Sequence, residues 1–305
     1  MDLLFLLGGL VGLLLGGEAL VRGAVGAARR LAIPPLLIGL TVVGFGTSTP
    51  ELLVSVDAAL RGVPDIAIGN IVGSNIGNIL LIVGLSALIW PIRVTGGTLP
   101  RDTAVMMVAA VVLVPLFWLG EVGRLSGAVL VAGLAGYLVW AYRRPGLDPV
   151  IEDAAPMMPL WRAAVWVAVG LAALMLGAKF LVDGAVAIAR TLGVSEAFIG
   201  LTIVAIGTSL PELATSLIAA VRRQSEIAIG NIVGSNIFNV LGILGATALI
   251  APIPVAGRFL TFDLPVMIAA SVVLTALLLL RPSIGRMAGL ALLLAYGAYV
   301  WAAQG

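Results

Sequence analysis

The segment IAIGNIVGSNI at residues 66–76 recurs without change at 227–237. The same offset of 161 residues aligns GLTVVGFGTSTPELLVS at 39–55 with GLTIVAIGTSLPELATS at 200–216, and 32 of 52 positions agree between 39–90 and 200–251. Shared composition alone would not hold eleven consecutive residues in register, so the chain contains one module twice. Apolar stretches long enough to cross a bilayer fall at 3–28, 33–60, 65–90, 102–119 and 124–142, then at 160–189, 194–220, 226–251, 262–280 and 285–303. Each copy therefore predicts five spans, and an odd number inserts the second copy upside down. The expected fold is an all-α membrane protein of ten transmembrane helices, built from inverted-topology five-helix repeats at 1–142 and 160–305 joined by a cytoplasmic linker at 143–159. Inverted repeats characterise many secondary transporters, whose site lies at the midplane where the halves meet.

Composition agrees with a membrane setting. With 61% hydrophobic and 10% charged residues, a 305-residue chain has too little polar surface for a soluble globule. Its 38 glycines permit close helix–helix approach in lipid. The apolar run Leu3–Gly17 follows Asp2 with no basic stretch before it, which predicts a first membrane helix rather than a cleaved signal. The net charge of +2 comes from arginines scattered among helix ends, so no nucleic-acid partner is expected. Placed on alternate sides of ten spans, twelve Lys and Arg residues face one side and five the other, which puts both termini outside the cytoplasm. His and Cys are absent, which removes the usual zinc, copper, haem and thiol chemistry and leaves oxygen ligands suited to Ca2+, Mg2+ or Na+.

Two ionisable residues deep in a span stand out, Glu51 and Glu212, and they are repeat mates. An isolated charge at the bilayer centre costs about 2.5–3.5 kcal/mol even on lenient scales, so a symmetric pair requires compensation. Both sit in Gly-Thr-Ser-x-Pro-Glu, at 46–51 and 207–212. Pro50 and Pro211 lack an N–H, so the carbonyls of Gly46 and Gly207 lose their helical partners. Irregular backbone at membrane depth is tolerated where it lines protein or a wet cavity. Thr47 and Glu51 share a helix face, as do Thr208 and Glu212. The following span supplies a polar stripe, Asn70, Ser74 and Asn78, mirrored by Asn231, Ser235 and Asn239. Asn70 and Asn231 suit hydrogen-bonded helix packing, and the other four suit the pocket. Two glutamates supply up to four of the six to eight oxygens that Ca2+ takes, and their charge balances one Ca2+ or two Na+. Exchange of Ca2+ for Na+ is the expected activity. Proton/Ca2+ antiport, a passive cation channel and an intramembrane enzyme are the competing readings.

Other charged residues have structural readings. Glu18 and Arg22 lie four apart, and their repeat mates Lys179 and Asp183 reverse the signs, so both predict ion pairs. Asp57 has Ile218 as its mate and is not expected to be an indispensable ligand. Asp65 and Glu226 fall at corresponding helix starts, where a carboxylate favours the dipole.

At the paired GTSxPE and GNIVGSNIxN motifs the chain resembles the Ca2+/cation antiporter superfamily, specifically its prokaryotic Na+/Ca2+ exchangers, over essentially its whole length. The resemblance implies a ten-helix antiporter of the bacterial or archaeal inner membrane working by alternating access, with two long outer helices that slide against the core. It implies Ca2+ and Na+ as cargo, with no prosthetic group and no protein partner required. Carried over position by position, it implies ligands at Thr47, Ser48, Glu51, Ser74 and Asn78, and at Thr208, Ser209, Glu212, Ser235 and Asn239, with carbonyls from Gly44 and Ala205. Some relatives have Asp where this chain has Asn239, which disfavours K+ co-transport. The Thr-Ser before Pro-Glu separates the chain from the proton-coupled branch, and the linker leaves no room for a Ca2+-sensing domain.

Overall fold

The computed structural model describes residues 2–93, 97–144, 158–192, 205–281 and 283–303. Its helices are α1 (Asp2–Leu31), α2 (Pro35–Thr47), α3 (Thr49–Leu60), α4 (Pro64–Ile89), α5 (Leu99–Trp118), α6 (Arg124–Arg143) and α7 (Leu160–Thr191). After a short turn at Ala205–Gly207 come α8 (Leu210–Val221), α9 (Ser225–Ile250), α10 (Phe259–Leu280) and α11 (Arg286–Ala303). Two antiparallel two-residue strands, β1 (Glu121–Val122) and β2 (Ile253–Pro254), tie the α5–α6 connection to the α9–α10 connection.

Among the described residues eight helices are long and apolar enough to cross a membrane, and the bent pair α2–α3 makes a ninth. The span expected at 194–220 begins outside the described residues and is represented by the turn at 205–207 and α8. The expected linker at 143–159 likewise falls mostly outside them.

Element boundaries follow local chemistry. Proline stands in the first turn of α2, α3, α4, α5 and α8, where a missing N–H costs nothing and φ is already helical. Gly62 and Gly120 close α3 and α5 with φ of +72° and +76°, a conformation that glycine adopts without strain. The repeat mate of Gly62 is Arg223, which holds φ at +60° while its guanidinium lies 4.3 Å from the Trp90 ring centroid.

The core centres on α4 and α9, which are buried over most of their length, whereas α1, α5, α6, α7, α10 and α11 show much of their surface to the outside. This explains why α4 and α9 read as apolar on every side apart from one polar stripe.

α1 and α7 pack along their length through two sets of repeat-mate glycines spaced by seven, Gly9, Gly16 and Gly23 against Gly170, Gly177 and Gly184. A Cβ on Gly9 would stand 2.4 Å from the Leu181 nitrogen, and one on Gly170 would stand 2.5 Å from the Leu20 nitrogen. Backbones therefore touch directly, the geometry that stabilises helix pairs in lipid by dispersion where apolar burial gains nothing.

Each repeat also joins its last two helices through a buried aspartate. Asp102 accepts from Tyr137 Oη at 3.1 Å and pairs with Arg101 at 2.7 Å, while Arg101 donates to the Arg144 carbonyl at 2.7 Å. Its mate Asp263 accepts from Tyr299 Oη at 2.9 Å and pairs with Arg258 at 3.3 Å, and Arg258 donates to the Ala303 carbonyl at 2.9 Å. The sequence reading placed both acids merely at span boundaries. Tyr137→Phe removes a donor from a buried carboxylate, and we expect a loss of about 1–3 kcal/mol, seen as a lower thermal midpoint with transport preserved.

One expected ion pair is absent. Glu18 binds Arg22 and also reaches across to Arg222 just past α8, but among the described residues Lys179 and Asp183 do not pair. The physical reason is twofold. Lys ahead of Asp is the weaker order for an i,i+4 pair on a helix, and among the described residues no third charge from a neighbouring helix holds them.

Candidate ion-binding site

The two GTSxPE motifs break their helices in the same way. Ser48 (φ −80°, ψ 8°) and Ser209 (φ −87°, ψ 7°) leave helical geometry, and α2 and α3 meet at 44°. Pro50 and Pro211 then restart α3 and α8, which places Glu51 and Glu212 in first turns, where the positive end of the helix dipole favours a carboxylate. Both glutamates are buried at 1% exposure and lie close enough for their charges to repel.

The motifs engage each other across the repeat boundary. Ser48 Oγ donates to Glu212 Oε1 at 2.8 Å, and Ser209 Oγ donates to Glu51 Oε1 at 3.0 Å. Thr47 Oγ1 lies 3.1 Å from Asn231 Oδ1, and Thr208 Oγ1 lies 3.4 Å from Asn70 Oδ1. Ser235 Oγ donates to the Gly44 carbonyl at 3.1 Å, and Ser74 Oγ lies 3.3 Å from Ser209 Oγ. Ala205, the mate of Gly44, opens the short turn before Thr208. The close approach of α2 to α9 depends on Gly234, where a Cβ would fall 2.2 Å from the Leu40 carbonyl oxygen.

Asn70 and Asn231 fasten each broken helix to its own repeat. Their amides donate to the Glu51 and Glu212 backbone carbonyls at 3.0 and 3.3 Å, and to Ser55 and Ser216 at 2.9 Å each. Asn78 and Asn239 lie at wider π-helical turns, Asn78–Ile82 and Phe238–Leu244, irregularities that favour functional positions.

Two residues escaped the sequence reading. Asn236 Oδ1 accepts from the Asn78 amide at 3.1 Å, and Asn75 Oδ1 accepts from the Asn239 amide at 3.2 Å. Asn75 and Asn236 are turned in their own right by Met267 and Met106, another mated pair, at 3.5 and 3.7 Å. The available signal was their place inside the unchanged eleven-residue segment.

These bonds leave four buried oxygens without a donor: Glu51 Oε2, Glu212 Oε2, Asn78 Oδ1 and Asn239 Oδ1. Each amide is held through its nitrogen, which leaves its carbonyl oxygen free. Two carboxylate and two amide oxygens, all acceptors, are the ligand chemistry that a hard cation takes. Among the described residues no third acid joins them, in keeping with Asn at 239.

An oxygen-lined pocket of paired acids at broken helices, inside a membrane bundle, defines a cation-transport protein. The chain belongs to the sodium/calcium exchanger protein family, which it matches over residues 1–143 and 162–304. It is 42% identical to the putative antiporter CaxA of Alkalimonas amylolytica, across 93% of this chain and 91% of that one. It is 32% identical to the sodium/calcium exchanger MaX1 of Methanosarcina acetivorans, across 98% and 97%. Among solved structures, the sodium-calcium exchanger NCX_Mj without Na+ or Ca2+ superposes with a TM-score of 0.87 at 33% identity, covering 98% of this chain and 97% of that one.

Proposed function

We propose that the protein is a Na+/Ca2+ antiporter that works by alternating access, with cations seated at the bilayer midplane between the two GTSxPE motifs. The observation that carries this is the set of four unpartnered buried oxygens on Glu51, Glu212, Asn78 and Asn239. In this reading the chain has ten spans in two inverted repeats, 1–142 and 160–305, with the linker cytoplasmic and both termini outside. Thr47, Ser48, Ser74, Thr208, Ser209 and Ser235, with the Gly44 and Ala205 carbonyls, complete the cation shells.

Coupling follows from charge. One Ca2+ or two Na+ neutralise the two carboxylates, so a loaded pocket can pass through the closed intermediate at low electrostatic cost. An empty pocket would bury two facing negative charges away from water, and that penalty suppresses uncoupled return. The dipoles of α3 and α8 and the serine donors offset part of the cost of holding the two carboxylates there.

Proteoliposomes loaded with Na+ test the proposal. Outward Na+ should drive 45Ca2+ accumulation, and collapse of the Na+ gradient should stop it. Accumulation that ignores Na+ but follows an imposed pH gradient would instead establish proton coupling, the second reading, which rests on two buried acids in the pocket that a third does not join among the described residues. Rapid equilibration without a counter-ion would mark a pore.

Asn75 and Asn236 act as positioning residues in this account. Asn75→Ala frees the Asn239 amide to rotate, and we expect about a tenfold rise in the KM for Ca2+ with little change in kcat. Equal losses in both parameters would show that the substitution had disturbed the fold.

A further inference from the structure

We propose that the protein binds one anionic phospholipid in the groove between α4, α10 and α11, with the acyl chain in the groove and the phosphate at Arg281 and Arg286. The groove has a volume of about 480 Å³ and is lined by apolar side chains, among them Leu80, Val266, Leu277, Ala288, Ala291 and Ala295. Alanines on α11 face α10 where larger residues would close the seam, so the space is built into the sequence.

Its length fits one leaflet. From Val266 to Leu277 the groove follows roughly 16 Å of helix, close to half of the ~30 Å hydrocarbon core. Leu277 and Ala288 are the lining residues nearest in the chain to the loop that carries Arg281 and Arg286. That loop lies beside residue types that anchor at headgroup level. Ile284 is bonded to Ile92 through both backbone groups at 2.9 and 3.0 Å, which sets it beside Trp90 and Arg93.

The charge at this end is available. Arg286 uses Nε on the Leu88 carbonyl at 3.1 Å, leaving the two terminal nitrogens of its fork. Arg281 is exposed and makes no ion pair among the described residues. The corresponding loop of the first repeat lacks this charge, because Gly120 and Leu125 stand where Arg281 and Arg286 would be, the exposed Glu121 offsets Arg124, and Val108 takes the place of Ala269. The arginine count assigns the Arg281–Arg286 loop to the cytoplasmic side, where anionic lipids concentrate.

Native mass spectrometry of the detergent-purified protein, equilibrated with equal amounts of phosphatidylglycerol and phosphatidylcholine of matched chains, tests the proposal. Phosphatidylglycerol adducts should be favoured on the order of tenfold or more. Arg281→Gln with Arg286→Gln, both at the exposed loop, should abolish that preference while leaving the fold intact. Ala291→Trp should remove adducts of both lipids, and Arg124→Gln, in the opposite loop, should change nothing. Equal retention of both lipids by the native chain, or a preference that survives the double arginine variant or the tryptophan, would overturn it.

Discussion

Glu51→Gln and Glu212→Gln are each expected to reduce Na+-driven Ca2+ uptake by more than about 100-fold, beyond the ~10–100-fold typical of altering groups behind a cation's ligands. The amide keeps the shape and the serine contact, since Ser48 and Ser209 can still donate to a carbonyl oxygen. It removes one of the two negative charges, so a bound Ca2+ would carry an uncompensated positive charge in a closed, low-dielectric pocket. Asp57→Asn provides the contrast. Asp57 is paired at 2.8 Å with Arg61 on an exposed helix face, and its loss should change transport less than about twofold. Uptake in reconstituted vesicles, normalised to protein inserted, decides between these outcomes. Comparable activity in all three variants would remove the glutamates from the pathway.

Gly170→Ala is expected to have the largest effect on stability of any single methyl addition in α7. The new Cβ would lie 2.5 Å from the Leu20 nitrogen and 2.8 Å from its Cα, and backbone cannot rotate away as a side chain does. Overpacking commonly costs about 1–3 kcal/mol, and contact with backbone on the facing helix puts this substitution at the upper end. Gly133→Ala on α6, where a Cβ meets nothing within 4 Å, should be neutral or slightly stabilising. Thermal unfolding in detergent, followed by monodispersity on size exclusion, separates the two. A Gly170→Ala protein as stable as the native chain would mean that α1 and α7 are not packed at backbone distance.

Much of this architecture was legible in the sequence because a bilayer leaves few options. The apolar runs placed α1, α4, α5, α6, α7, α9, α10 and α11 within a few residues of their observed limits, since a span must satisfy its own backbone. The proline in each GTSxPE motif announced the helix breaks at Ser48 and Ser209, because its missing N–H acts locally. The duplicated segment identified which polar residues to consider, and the structure brings Ser48 to Glu212 and Ser209 to Glu51.

What escaped the sequence depends on distant partners. Asn75 and Asn236 fall off the i, i+4 stripe of Asn70, Ser74 and Asn78, and their contacts appear only when the two copies interlock. Asp102 and Asp263 looked like span boundaries because their tyrosine partners lie 35 and 36 residues away. Lys179 and Asp183 show the converse, since spacing alone suggested a pair that the surroundings do not support.

The most direct test of the central claim is anomalous diffraction from crystals of this protein soaked in Sr2+ as a Ca2+ substitute. The account predicts one strong peak between Glu51 and Glu212, within coordination distance of Oε2 of both and of the Asn78 and Asn239 carbonyl oxygens, displaced when Na+ is raised. A peak bound by only one repeat, or none in the pocket at saturating Sr2+, would contradict it.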